Sequence, residues 1–172
     1  PLTDVIMDDA KRVEIVRKAV GPGAELFIDA NCSLDLYHAR QLCQMIEPFH
    51  IEFFEEPVTQ NDIRQMAELR FQTSIRLACG QNEGQAYRFR DMMIAGAVDI
   101  IQPNVAITGG FTQCQKIAAL ANSFNISVDN GGAWPFFNQH LQAGLSNGGL
   151  VEYHYSSVEV CKHIYTGLPE PE

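Results

Sequence analysis

Six short apolar runs, each closing on a polar or acidic side chain, recur along this chain at a nearly constant interval. That rhythm restricts the fold more than any other feature. The closing residues are Asp29, Glu55, Gln81, Asn104, Asn130 and Glu152, spaced by 26, 26, 23, 26 and 22 residues. The runs read AELFIDAN, IEFFEEP, IRLACG, VDIIQPN, ISVDN and LVEYHY. Each is short and nearly continuous in apolar character, which suits a strand covered on both faces.

The intervening segments carry three-four apolar spacing, the mark of a helix with one buried face. Ile6, Ala10, Val13, Val16 and Val20 form the first such stripe, and Gly21 stops it. Ser33 is placed to cap a second helix with Ala39, Leu42, Cys43 and Ile46 inward. Ile63, Met66, Ala67 and Leu69 mark a third, Ala86, Phe89 and Met93 a fourth, and Phe111, Cys114, Ala118 and Ala121 a fifth. A weaker pattern runs through Phe137, Leu141 and Leu145. Strands alternating with crossover helices predict an α/β fold with a parallel sheet. In such folds the C-terminal edge of the sheet carries the active site, so the six closing residues are candidates for it. Strand ends also meet water in any fold, which by itself favours polar residues there.

With 172 residues, 46% hydrophobic and 19% charged, the chain is expected to form a single domain over 1–172. A net charge of −9 argues against a nucleic-acid backbone or an anionic membrane surface as partner. The five cysteines are scattered and odd in number, without a CxxC pair, which favours reduced thiols in the cytoplasm over a disulfide framework or a zinc site. No apolar run is long enough to span a membrane, and the start shows no signal-peptide pattern. The first residue is Pro1, so the chain is expected to belong to a longer gene product.

The motifs IDAN, FFEEPV, DIIQPN, a GG pair opening a helix, and VEYH fall in an order and spacing that resembles the enolase superfamily. The likeness is greatest to the barrel domain of its mandelate racemase-like branch, which includes sugar-acid dehydratases. It covers almost the whole chain. It implies a TIM-like (β/α)7β barrel, present here as about six parallel β/α units, without the first barrel strands and without the capping domain.

The resemblance also implies roles. Asp29 and Glu55 match the first two metal ligands of the family. Gln81 falls where a third, a glutamate, is expected, and Glu83, two residues on, is the alternative. Two residues apart on one strand share a face, so Glu83 reaches the same side only if the strand continues that far. Asn104 falls where the family carries the aspartate partner of a catalytic histidine, and DNGGAWP has no histidine where that residue belongs. Glu152 matches an acidic group beside the enolate oxygen. His140 and His154 are the candidate bases, because imidazole titrates near neutrality. His38, His50 and His163 read as surface residues, and no lysine lies at a strand end.

The implied chemistry is abstraction of a proton next to the carboxylate of a small hydroxy or sugar acid, with Mg2+ neutralising the charge. The reading is a Mg2+-dependent lyase or isomerase, with dehydration first and racemisation second. The alternative is a non-catalytic relative that binds a small acid or only assembles with other subunits. Open strand edges predict a homo-oligomer and little turnover from this stretch alone.

Overall fold

The computed structural model describes residues 2–169. Its contacts group into two compact units. One runs up to Cys79 and takes back Ala95–Asp99; the other holds Gly80–Ile94 and the chain from Ile100 onward.

The first unit contains α1 (Leu2–Val20), β1 (Phe27–Asp29), α2 (Leu36–Ile46), β2 (Phe53–Glu55), α3 (Ile63–Arg70) and β3 (Arg76–Cys79). Its strands pair in chain order and in parallel, with Phe27, Ile28 and Asp29 opposite Phe53, Phe54 and Glu55. Phe53, Phe54 and Glu55 in turn face Arg76, Leu77 and Ala78. Phe54, Leu77 and Ala78 are buried, as are Ala39, Leu42, Cys43 and Ile46 of α2 and Met66 and Leu69 of α3, as their spacing predicts. Asp99 closes the far side of β3. Its Oδ2 accepts from the Leu77 amide at 2.9 Å, and its Oδ1 meets Arg70 Nη2 at 2.6 Å. The polar start of the fourth run is thus a partner for the β3 backbone.

Two expectations change here. The cap of α2 is Asp35, not Ser33: its carboxylate accepts from the His38 amide at 2.8 Å. Leu34 is still extended and bridges Val58, so the helix cannot open at Ser33. Only Ile6 and Ala10 of the α1 stripe are buried, while Val16 and Val20 stay exposed. Past them Arg17 ties the helix end down, donating to the carbonyls of Gly21, Ala24, Phe49 and His50.

The second unit contains α4 (Ala86–Ile94), β4 (Ile100–Ile101), α5 (Phe111–Ser123), β5 (Ser127–Asn130), α6 (Pro135–Gln142), β6 (Gly148–Val151) and α7 (Tyr155–Cys161). Its strands also run parallel in chain order, with an irregularity between Val128 and Asn130 where β6 pairs with β5. Cys114, Ile117, Ala118 and Ala121 form the buried face of α5; Phe111 stands at its open end and is exposed. Leu145 lies past the end of α6 and packs on Val105, Cys114 and Leu141. The last strand ends at Val151, so Glu152 and His154 follow it, and α7 is an element that the apolar spacing did not predict. Among the described residues no helix is long and apolar enough to cross a membrane.

Gly80 begins the second unit at φ +124, and a Cβ there would lie 2.6 Å from Phe89 Cε1. Phe89 is fully buried and has no room to retreat. Gly80→Ala is expected to cost about 3 kcal/mol, from backbone strain and overpacking together. Urea denaturation of the parent and the variant measures it.

Candidate active site

The first unit puts two carboxylates side by side. Asp29 and Glu55 end β1 and β2 as register partners. Parallel neighbours lie about 4.8 Å apart along the hydrogen-bonding direction with their side chains on the same face. Two ionised carboxylates at that spacing repel unless a cation or donors sit with them. Asp29 has donors at hand: the Asn31 amide meets Oδ1 and the Asn31 Nδ2 meets Oδ2, both at 2.7 Å. Glu55 is buried, whereas Asp29 is exposed. The next strand offers Ala78 in the same row, so the sheet register itself supplies two carboxylates and no third.

The turns leaving these strands are polar and unusual in backbone. Asn31, Cys32, Glu56, Gln60 and Asn61 all adopt positive φ. Glu56 is buried, and Asn61 Nδ2 donates to its Oε1 at 2.8 Å. Burial first, and then the charge of Glu56, push the Cys32 thiol up to about 11. Sequence reasoning passed over Glu56, Asn61 and Cys32. The doubled acid in EEP was the available signal, because only one of two successive strand residues can face a given side.

The second unit presents amides at its strand ends. Gln81, Gln102, Asn104, Asn130 and Asn138 are all buried. Asn104 is completely enclosed and spends every polar atom. Its Nδ2 donates to the carbonyls of Gly131 at 2.9 Å and Ala133 at 2.7 Å, and its Oδ1 accepts from the Ala106 amide at 2.9 Å. Its backbone N–H donates to Thr108 Oγ1 at 3.1 Å. The loop it grips contains Gly132, at φ +79, where a Cβ would come within 3.0 Å of Gln81 Oε1 and 3.1 Å of Asn104 Nδ2. The Gly132 amide donates to Glu152 Oε2 at 2.6 Å. Asn104, Gly132, Gln81 and Glu152 are therefore brought together around one loop. Asn138, which the spacing did not single out, joins from α6 by accepting from the Val105 amide at 2.9 Å.

The remaining candidates lie elsewhere. Glu83 forms a two-pronged pair with Arg88, whose Nε and Nη2 meet its carboxylate oxygens at 3.0 Å each. His154 caps α7: its Nδ1 accepts from the Ser157 amide at 3.1 Å, so the neutral ring carries its proton on Nε2. His140 is exposed in the last turn of α6. Among the described residues no group of three or more His, Cys, Asp or Glu side chains is placed to hold a metal ion. Mg2+ keeps several waters and is often bound by one or two carboxylates, so the Asp29–Glu55 pair fits it without a third.

Most of the chain is similar to known proteins. The family model described as enolase C-terminal domain-like matches residues 3–172. The chain is 35% identical over 123 residues to a D-galactarolactone cycloisomerase of Agrobacterium fabrum, covering 72% of this chain and 32% of the relative. It is 32% identical over 115 residues to a D-galactonate dehydratase of Xanthomonas euvesicatoria pv. vesicatoria, covering 67% of this chain and 30% of that one. A crystal structure of a racemase from Streptomyces coelicolor A3(2) with bound magnesium superimposes with TM-score 0.83 at 27% identity, over 87% of this chain and 42% of the racemase. The chain thus spans about a third of the length of the curated relatives it matches. The expected partial β/α barrel is borne out.

The Asn104 contacts make a direct prediction. In Asn104→Asp the carboxylate has no N–H to give and would face two carbonyls. Its folded-state pKa rises above the ordinary value of about 3.9, so folding favours the protonated form. The pH-dependent part of the penalty is therefore absent below about pH 4 and grows by about 1.4 kcal/mol per pH unit above it, until the folded-state group ionises; the second carbonyl stays without a donor at any pH. The gap in denaturation midpoint between parent and variant should be wider at pH 7 than at pH 4.

Proposed function

Because the chain belongs to the enolase C-terminal domain-like family, we propose that it is the barrel part of a Mg2+-dependent lyase or isomerase acting on a hydroxy or sugar acid. The family match and the relatives support an enolase-superfamily catalytic barrel acting on a small acid. Dehydration is the reaction we favour, since a dehydratase and a cycloisomerase of sugar acids are among those relatives. Racemisation is the second choice, in view of the similar racemase.

The observation that carries the reading is the Asp29–Glu55 register pair. These two side chains would hold Mg2+, which when bound neutralises the charge that builds on the substrate carboxylate as its α-proton leaves. Asn31 orients Asp29 through both carboxylate oxygens. We assign Glu152 to hydrogen bonding at the enolate oxygen, held in place by the Gly132 amide. Gln81, buried and beside Gly132, is assigned as a neutral polar group of the loop that meets Glu152; Glu83 is engaged by Arg88. His140 is the histidine assigned to proton transfer, because the His154 lone pair already caps α7. The cysteines, free among the described residues, support a reducing, cytoplasmic setting.

A non-catalytic relative is the second reading. It is favoured by Asn104, which has no capacity left for proton chemistry, and by the want of a third acidic ligand among the described residues. Calorimetry with MgCl2 separates the two. The parent should bind Mg2+, and Asp29→Ala and Glu55→Ala should each weaken binding by tenfold or more. A folded parent that takes up no Mg2+ would put the non-catalytic reading ahead.

A further inference from the structure

Glu56 is 1% exposed, yet the chemistry proposed for Glu55 leaves it without a task. Ionised carboxylates are almost never buried without donors. Asn61 Nδ2 donates to its Oε1 at 2.8 Å, and the Cys32 thiol lies near enough to the same carboxylate to feel its charge. A carboxylate only accepts, so the orientation of the Asn61 amide is settled by it. The consequence is visible in Asn61, whose buried Oδ1 has no partner among the described residues. A lone unsatisfied oxygen is tolerated here to keep the donor on Glu56.

What Glu56 joins is a pair of strained turns. Asn31 and Cys32, at φ 45 and 58, follow Asp29; Glu56 itself, at φ 42, follows Glu55; Gln60 and Asn61, at φ 57 and 48, follow further on. Side-chain-bearing residues avoid this region and stay there only when neighbours hold them. The backbone helps. The Cys32 amide donates to Glu56 O at 2.8 Å, the Ala30 amide to Glu55 O at 3.1 Å and the Thr59 amide to Leu34 O at 2.8 Å. The carboxylate reaches both turns at once, Cys32 on one and Asn61 on the other.

We propose that Glu56 is a positioning residue, whose buried carboxylate clamps the left-handed turns after β1 and β2 and so aims Asp29 and Glu55 as a pair. Its effect on ligand geometry rests on the metal reading given above; the clamp itself does not. Without it the turns relax toward right-handed backbone, and the two repelling carboxylates splay apart.

Two readouts test this on Glu56→Ala, with Glu56→Gln and Asn61→Ala as milder variants should the first not fold. Glu56→Gln keeps an acceptor for Asn61. Amide hydrogen exchange without metal should accelerate at least tenfold at Cys32 and Thr59 in Glu56→Ala, stay near parental in Glu56→Gln, and not change at Leu77. Calorimetry with MgCl2 should show at least tenfold weaker binding in Glu56→Ala and under threefold weaker in Glu56→Gln. Parental exchange rates in a folded Glu56→Ala would overturn the clamp. Faster exchange with parental Mg2+ affinity would overturn its role in aiming the ligands. If the parent binds no Mg2+, the metal reading and the aiming role fall together, and exchange still decides the clamp.

Discussion

In a parallel sheet every strand leaves by the same edge, and each paired neighbour faces its partner in register. That constraint explains most of what the candidate site contains. In the first unit it sets Asp29 beside Glu55 without help from any loop, because the two residues are register partners at the last position of β1 and β2. It also explains why the row ends there. The next position belongs to Ala78, and the polar residues of the third run come later, after Gly80 has turned the chain at φ +124. A carboxylate pair with donors on one side and a buried partner on the other is a place where a small, hard cation lowers the energy.

The second unit is built on a different economy of donors. Where a carboxylate would accept from everything around it, Asn104 gives two hydrogens to carbonyls and takes one from an amide. That pattern can only be satisfied by a carboxamide. Asparagine at 104 therefore has a structural meaning independent of any catalytic role. The loop carrying Gly131, Gly132 and Ala133 is held by this one side chain, and Gly132 in turn meets Glu152. Glycine is required at 132, both by its positive φ and by the nearness of Gln81 and Asn104.

How much of this was legible in the sequence depends on which residues carry it. The strands and most helix faces followed from apolar spacing, because burial is what that spacing encodes; Ala39, Leu42, Cys43 and Ile46 are buried as read. Helix ends were less legible. Ser33 and Asp35 are both capable caps, and the choice fell to the Leu34–Val58 bridge, a contact between distant residues. The α7 cap by His154 was hidden for the same reason: a histidine after a strand gives no sign of its partner. The pairing of Asp29 with Glu55 was legible through the even interval. Glu83 was not, because the strand does not continue, and its side chain is answered by Arg88, five residues along.

The Glu83–Arg88 pair bears on the chemistry that remains. A third anionic ligand would take a site around a divalent ion past neutrality to a net negative charge. With two carboxylates, as in the reading proposed above, the charge of the ion would be balanced and none left over, so a substrate carboxylate would approach without net repulsion. A site so composed would repel an anionic substrate less than one with three carboxylates.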